Sequence, residues 1–475
     1  MKKYLKIITI IFFSIGLFVS CDDELDQLPY DEFSTDNAYT TAQDFENGLR
    51  GVYAALTNGG MYGSSDAGSM LSAPDVLSDN VTLSQGGRFT KRTLHDYEYN
   101  TNSTLRGTYM DAYELIFRAN LILFHVQDFE GESKENIIAE AKALRALAHF
   151  NLVTIFGKIP TQDGDANSSL GVAYVTEADP NIEPPRLTVG ESYNLIIEDL
   201  EDAKSKINQT NPVGRMGIDA VNVLLSRVYL YMGQWQNAID AANAVSGNVA
   251  PRDNIVGVWE DTSQDGLVFY IPNVDPILGN SIGVTWSQGS MTSLIPEYVV
   301  SFQFYILFAD DDIRKEAYTF AGSSGPNQYN GIKKLFGRPG QTNGEVDYKI
   351  LRVAEAYLNK AEALYNLGSE TAARLALDQI RSNRYTMPPS GETGNALKAA
   401  IRLERRLEFA FEYQRFFDLK RWGLSVNRTI AGDQSDGSGT PSDVLNLPVG
   451  SNKFQLPIAQ ESLDVNPNLQ QNPGY

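Results

Sequence analysis

Cysteine occurs once among the 475 residues, at Cys21. An intrachain disulfide is therefore impossible, and so is any site that needs two thiols. Histidine occurs three times, at His95, His125 and His149. None of the three falls in an HExxH or similar paired spacing, so no zinc-hydrolase motif is present. No GxSxG elbow, Walker loop or dinucleotide fingerprint occurs either. Basic residues are the minority charge: 39 Lys and Arg stand against 59 Asp and Glu, for a net −20. A chain this acidic is repelled by nucleic-acid phosphates and by anionic lipid surfaces. The expectation is a protein that uses no cofactor or metal and has no nucleic-acid partner. Its many carboxylates leave an Asp/Glu pair for glycoside hydrolysis as the enzymatic alternative.

Long apolar runs are also scarce. One run extends from Ile7 to Val19 behind Lys2, Lys3 and Lys6, and ends at Ser20-Cys21. It is shorter than the roughly 20 residues that a membrane-spanning helix needs. A short apolar stretch behind lysines and before a small residue reads as an export signal over residues 1–20. Cys21 then resembles the acylated lipobox cysteine of bacterial lipoproteins, although the usual Leu three residues earlier is Phe18 here, with Leu17 one further back. An ordinary cleaved signal with an incidental cysteine is the other reading. Residues 21–475 are expected to form one mature domain that does not span a membrane.

Apolar residues make up 42% of the chain, enough for a large core, and 24 tyrosines leave aromatics for surfaces as well. The periodicity is helical in several places. In 219–245, Leu225, Tyr229 and Met232 share one face, Gly233 and Gln234 turn the chain, and Ala238, Ile239 and Ala242 line a second helix. Residues 347–381 repeat the pattern, with Leu351, Ala354, Leu358, Ala361 and Tyr365 before Gly368, and Ala373 and Leu377 after it. Two helices joined by a short glycine turn are the tetratricopeptide-like unit. A further helix is expected over 135–156, and others near 37–56, 105–129, 190–207 and 397–422. Helical units are thus placed at about 37–57, 105–157, 190–245 and 347–423. Loop-rich insertions occupy about 58–102 and 246–346, with one strand expected at Leu267–Ile271. The fold class expected is mainly all-α, with tetratricopeptide-like helix pairs packed against an irregular half.

Several segments together resemble the SusD/RagB family: AEAKALRALAHFNLVTIFGKIP at 139–160, the 219–245 pair, LRVAEAYLNKAEALYNLG at 351–368, RLERRLEFAFEYQRFFDLKRWG at 402–423, and the ending FQLPIAQESLDVNPNLQQNPGY at 454–475. The resemblance implies four tetratricopeptide-like units and a surface lipoprotein of the outer membrane, held by a lipid anchor. It implies a protein that binds and does not catalyse, with a glycan ligand and a SusC-like TonB-dependent transporter as partner. Asp22, Asp23, Glu24 and Asp26 resemble the acidic export tag of such lipoproteins, although a solvated acidic tether would look the same. A peptide-binding relative and an assembly scaffold without its own ligand are the alternatives.

Residues 402–421 hold Arg402, Arg405, Arg406, Arg415, Lys420 and Arg421, interleaved with Glu404, Glu408, Glu412 and Asp418. They read as charge pairs on the flank of one long helix, with Leu403, Leu407, Ala410, Phe411 and Phe417 as its buried face. Asp310, Asp311 and Asp312 before Arg314 read as a capped helix start. Sugar binding needs flat aromatic faces and fixed polar groups. The candidate ligand-binding residues are Trp286, Tyr298 and Tyr329 in the large insertion, and Tyr62, Asn80 and Arg88 in the first loop region. Asn280, Gln288, Asn330 and Asp79 lie nearby in sequence. Trp286 leads because GNSIGVTWSQGS has no helical apolar period with which to bury an indole. Trp235 and Trp422 sit in helical patterns and are expected in the core.

Overall fold

The computed structural model describes residues 38–274 and 280–475. Cys21 and the export signal lie outside them. The fold is mainly α-helical. Helix α1 spans Ala42–Ala55, α2 Arg106–His125, α3 Lys134–Phe156 and α4 Val189–Lys206. After these come α5 at Ile218–Tyr231, α6 at Trp235–Asn243, α7 at Val353–Asn366, α8 at Glu370–Arg381, α9 at Gly394–Glu408 and α10 at Arg415–Arg421. Consecutive helices from α1 to α6 pack on one another, with α1 also against α2 and α3, and α7 joins the stack against α5 and α6 before α8 and α9 cover it. Helix α3 is the centre: all its residues except Lys134, Glu135 and Lys142 are buried.

The two glycine turns have the same construction. In the first, Gly233 has φ +72°, and the Gln234 N–H donates to the Tyr229 carbonyl at 2.9 Å. In the second, Gly368 has φ +77°, and Ser369 N–H donates to Leu364 at 2.9 Å. This six-residue closure satisfies carbonyls at the helix end, and glycine takes the left-handed position at little cost. Ala238, Ala242 and Ala373, which are small, and Leu377 are buried beyond the turns.

The helical repeat differs from the sequence reading at two points. Leu351 belongs to a strand, Tyr348–Arg352, and α7 begins only at Val353. That strand pairs antiparallel with Leu267–Ile271, the one strand expected. The expected single helix over 397–422 is also broken, with Phe411 at φ +61° and Tyr413 at φ +55°. Buried side chains hold the break. The Asp75 carboxylate accepts from the Phe411 and Tyr413 N–H groups at 3.2 and 3.3 Å. Lys334 Nζ donates to the Glu408 and Ala410 carbonyls at 3.0 and 2.9 Å. Burial pushes the Asp75 carboxyl up to about 6 and the Lys334 ammonium down to about 7.

The charges of α9 and α10 are tertiary pairs inside the molecule, not a solvated flank. Glu408 accepts from Arg384 at 2.8 Å and from Arg352 at 2.8 Å. Glu404 accepts from Arg314 at 2.8 Å, and Asp418 accepts from Arg405 at 2.8 Å. Leu403, assigned to the buried face, is 38% exposed, whereas Leu407, Ala410, Phe411 and Phe417 are buried. Asp312 does cap the helix Ile313–Tyr318, accepting from Arg314 N–H at 2.9 Å.

The 246–346 stretch holds short antiparallel pairs beyond the one strand expected. These strands, with the one from the first loop region that pairs with them, are in chain order β1 Val81–Leu83, β2 Ser287–Ser290, β3 Ser293–Pro296, β4 Tyr298–Val300, β5 Thr319–Ser324 and β6 Asn327–Ile332. β1 pairs with β4, β2 with β3, and β5 with β6. One buried cluster takes side chains from α1 through Ile282, Trp286 and Tyr298 to Ile458, so the irregular part packs on the helices.

Candidate functional site

Burial sorts the six sequence candidates. Trp286 is 1% exposed, and Tyr298, Tyr329, Asn80 and Tyr62 are also buried. Trp286 packs edge-on against Phe411 and Tyr298, with ring centroids 6.1 and 6.4 Å apart. Tyr298 donates its hydroxyl to the Thr90 carbonyl at 2.8 Å. Tyr329 fills a small cluster with Leu294 and Val299. Asn80 donates to Asp75 at 2.9 Å and accepts from Arg406 at 2.9 Å. Tyr62 stacks edge-on against Tyr413 at 5.2 Å and accepts from Asn151 at 3.1 Å. A ring with no open face cannot stack on a sugar, and the buried Asn80 amide is already taken by Asp75 and Arg406, so the four rings and Asn80 belong to the core and scaffold. The expectation failed because an irregular segment is buried by distant segments and not by its own period.

Among the six, Arg88 alone reaches the surface, with its side chain 46% exposed. It lies in the loop that continues from β1. Gly87 lets this loop press on the end of β3: an added Cβ there would sit 2.4 Å from the Pro296 carbonyl oxygen. Phe89 and Lys91 follow with φ +59° and +58°. Left-handed backbone at two residues with side chains costs energy and persists only where the surroundings hold it. The buried Glu297 does so, accepting from Arg88 Nε at 2.7 Å and from the Thr90 hydroxyl at 3.0 Å. Asp433 accepts from Gln85 N–H at 2.9 Å and pins the loop from its other side. Burial lowers the Lys91 ammonium to about 8, against the pull of Glu297 and Asp66.

The result is a guanidinium fixed in place at the surface. Asp66 accepts from its Nη2 at 3.2 Å. The Gln288 carboxamide, with its oxygen turned toward Arg88, accepts from Nη2 at 3.0 Å. Glu297 further holds the guanidinium in its charged state. The same loop and the β2–β3 hairpin carry exposed apolar side chains: Phe89 at 38%, next to Arg88 in the chain, Met291 at the hairpin tip, and Ile295, which stands opposite Gln288 across the hairpin. Phe89, Met291 and Ile295 were not among the sequence candidates. The Gly86-Gly87 pair before Arg88 was the available signal that this loop makes a close approach. An exposed aromatic side chain on the same loop as a fixed guanidinium is the pair of group types that covers a sugar ring and hydrogen-bonds its hydroxyls. Of the neighbouring candidates, Asn330 and Asp79 are buried and Asn280 is exposed.

Several concavities occur on the helical part. A groove of about 830 Å³ runs along α2, where Tyr109, Met110 and Phe117 face Ile182 and Val465. A smaller pocket of about 320 Å³ lies between α6, α7 and α9. It contains Trp235 and Trp422, which are half-buried there and not core as expected. Among the described residues no group of three or more His, Cys, Asp or Glu is arranged to hold a metal ion, and no helix is long and apolar enough to cross a membrane.

Comparison with known proteins covers both parts of the molecule. Residues 301–475 match the model of the SusD family, and residues 25–230 match a model described as starch-binding, associating with the outer membrane. A SusD-like protein, P2, of Formosa agariphila is 25% identical across the whole of both chains. The starch-binding protein SusD of Bacteroides thetaiotaomicron is 27% identical, over 28% of this chain and 22% of its own. A crystal structure of a putative sugar binding protein from Bacteroides vulgatus superposes with a TM-score of 0.81 at 26% identity, covering 92% of this chain and 99% of that one.

Proposed function

Because this chain belongs to the SusD/RagB family, we propose that it is a glycan-binding lipoprotein of the cell surface, which captures an oligosaccharide or polysaccharide and delivers it to a SusC-like TonB-dependent transporter. It acts by binding and not by catalysis. The observation that carries the ligand reading is the loop at Arg88, where the exposed Phe89 follows directly on a guanidinium that is already held in position. Preorganised polar groups lose little freedom when a ligand arrives. Starch binding in the description of the matching model supports the same ligand class.

Replacing Phe89 tests this directly. Phe89→Ala is expected to weaken retention in polysaccharide affinity gels by roughly five- to a hundredfold, taking aromatic stacking of bases as the analogue at about 1–3 kcal/mol. Its unfolding midpoint should stay at the wild-type value, because the side chain is at the surface of a loop. Unchanged retention of every polysaccharide that the wild type binds would remove Phe89 from the ligand platform.

The anchor and the partner share one experiment. Cys21 follows the apolar N-terminal run, and stable attachment takes more than one acyl chain. The wild-type protein, extracted from native membranes in mild detergent, is expected to bring down a much larger β-barrel protein. Cys21→Ala is expected in the soluble fraction. A Cys21→Ala protein that still pellets with salt-washed membranes refutes the lipid anchor, and wild-type protein recovered alone from membranes that contain the barrel refutes the partnership.

A further inference from the structure

The pocket between α6, α7 and α9 has a chemistry unlike the rest of this acidic molecule. Every other arginine of α9 and α10 has a carboxylate: Arg405 has Asp418, Arg406 and Arg415 share Asp79, and Arg421 has Glu362. Arg402 has none among the described residues, and neither does Lys398 one turn earlier on the same helix. Both line the pocket. The one carboxylate there, Glu362, is already engaged. It accepts from both terminal nitrogens of Arg421 at 2.5 and 2.7 Å and from the Trp422 indole N–H at 2.7 Å. Two cations without an ion-pair partner among the described residues thus face one cavity in a chain of net charge −20.

The walls are aromatic. Arg402 lies over the Trp422 ring, 4.7 Å from its centroid, which holds the guanidinium at the pocket edge. Trp235 and Tyr365 also line the cavity and are only half-buried. The Thr161 hydroxyl is buried at the same cavity with no hydrogen-bond partner among the described residues. A buried hydroxyl left unpaired is costly and calls for a partner. The volume of about 320 Å³ lies at the lower end of the ligand-pocket range of about 300–1,000 Å³, which suits one or two sugar rings.

We propose that this pocket is a second sugar site, selective for a residue that carries a carboxylate, with the ring against Trp235 and Tyr365 and the carboxylate on Arg402 and Lys398. The proposal rests on the glycan-capture reading and adds to it a site on the helical part with a charge preference. A neutral sugar would leave both cations unpaired, so a uronic acid is the better fit.

Acrylamide quenching of tryptophan fluorescence reads this pocket. Trp235 and Trp422 line it, whereas Trp259 and Trp286 are buried and shielded from the quencher. Tetragalacturonate is expected to protect the purified chain from quenching, and the neutral cellotetraose to need at least about tenfold more for the same protection. Arg402→Met and Lys398→Met should each weaken tetragalacturonate binding by about tenfold or more, and added salt should weaken it in the wild type. Lys398 makes no ion pair or side-chain hydrogen bond among the described residues, so Lys398→Met remains informative if Arg402→Met misfolds. Equal protection by the two sugars, or tetragalacturonate binding unchanged in Lys398→Met, overturns the proposal. So does no protection by tetragalacturonate while the chain still binds a neutral polysaccharide in gels, or tighter binding of a peptide with a free C-terminal carboxylate. A chain that binds no glycan in either assay overturns the glycan-capture reading itself, and this one with it.

Discussion

Trp286→Ala is expected to unfold early. The indole is 1% exposed and sits between Phe411 and Tyr298. Truncating a fully buried aromatic removes its transfer energy and leaves a cavity, for a loss of about 3–5 kcal/mol. The backbone sharpens the effect. The Trp286 carbonyl accepts from both Glu297 and Tyr298 N–H groups, at 2.8 and 3.0 Å. Glu297 in turn holds the Arg88 loop, so a disordered Trp286 segment should loosen the surface proposed for ligand. Chemical denaturation checks the stability, and an affinity gel checks the surface. A midpoint within error of the wild type would mean that the indole is dispensable to the core.

Arg227→Met is expected to be equally damaging, and the damage should be reversible by a second change. Arg227 on α5 donates to both oxygens of Glu355 on α7, at 2.5 and 2.6 Å. Both side chains are buried, at 3% and 1% exposure. Removing one partner leaves the other charge without compensation in the interior, which costs about 3–5 kcal/mol. Replacing both by apolar groups of similar volume is close to neutral or stabilising. Arg227→Met/Glu355→Leu should therefore recover most of what Arg227→Met loses. A double variant as unstable as the single one would show that packing, not the unpaired charge, sets the cost. The pair joins the first glycine-turn unit to the second, so the same measurement reports how strongly the two depend on each other.

The helices were legible in the sequence because burial along a regular helix repeats with the turn. Ala141, Leu144, Ala148 and Leu152 announce α3, and all four are buried. Gly233 and Gly368 announce their turns because few other residues take a positive φ at a helix end. The 397–422 stretch reads as one helix because its local propensity is helical throughout. Asp75 and Lys334, each far away in the chain, supply the hydrogen bonds that make the break affordable.

Sequence by itself determined the mainly helical class, the paired glycine turns, the strand at Leu267–Ile271 and the family resemblance, all of which depend on neighbours a few residues apart. Tertiary structure alone decided which aromatics and charges face outward. Trp286 is covered by Phe411, which arrives from the break after α9, while Phe89 is left at the surface by a loop that Glu297 and Gly87 hold down. Arg402 has no ion-pair partner among the described residues, where the nearby Glu362 is held by Arg421 and Trp422. Exposure in an irregular segment, and the pairing of a charge across helices, are set by contacts between residues far apart in the chain, and no local period encodes them.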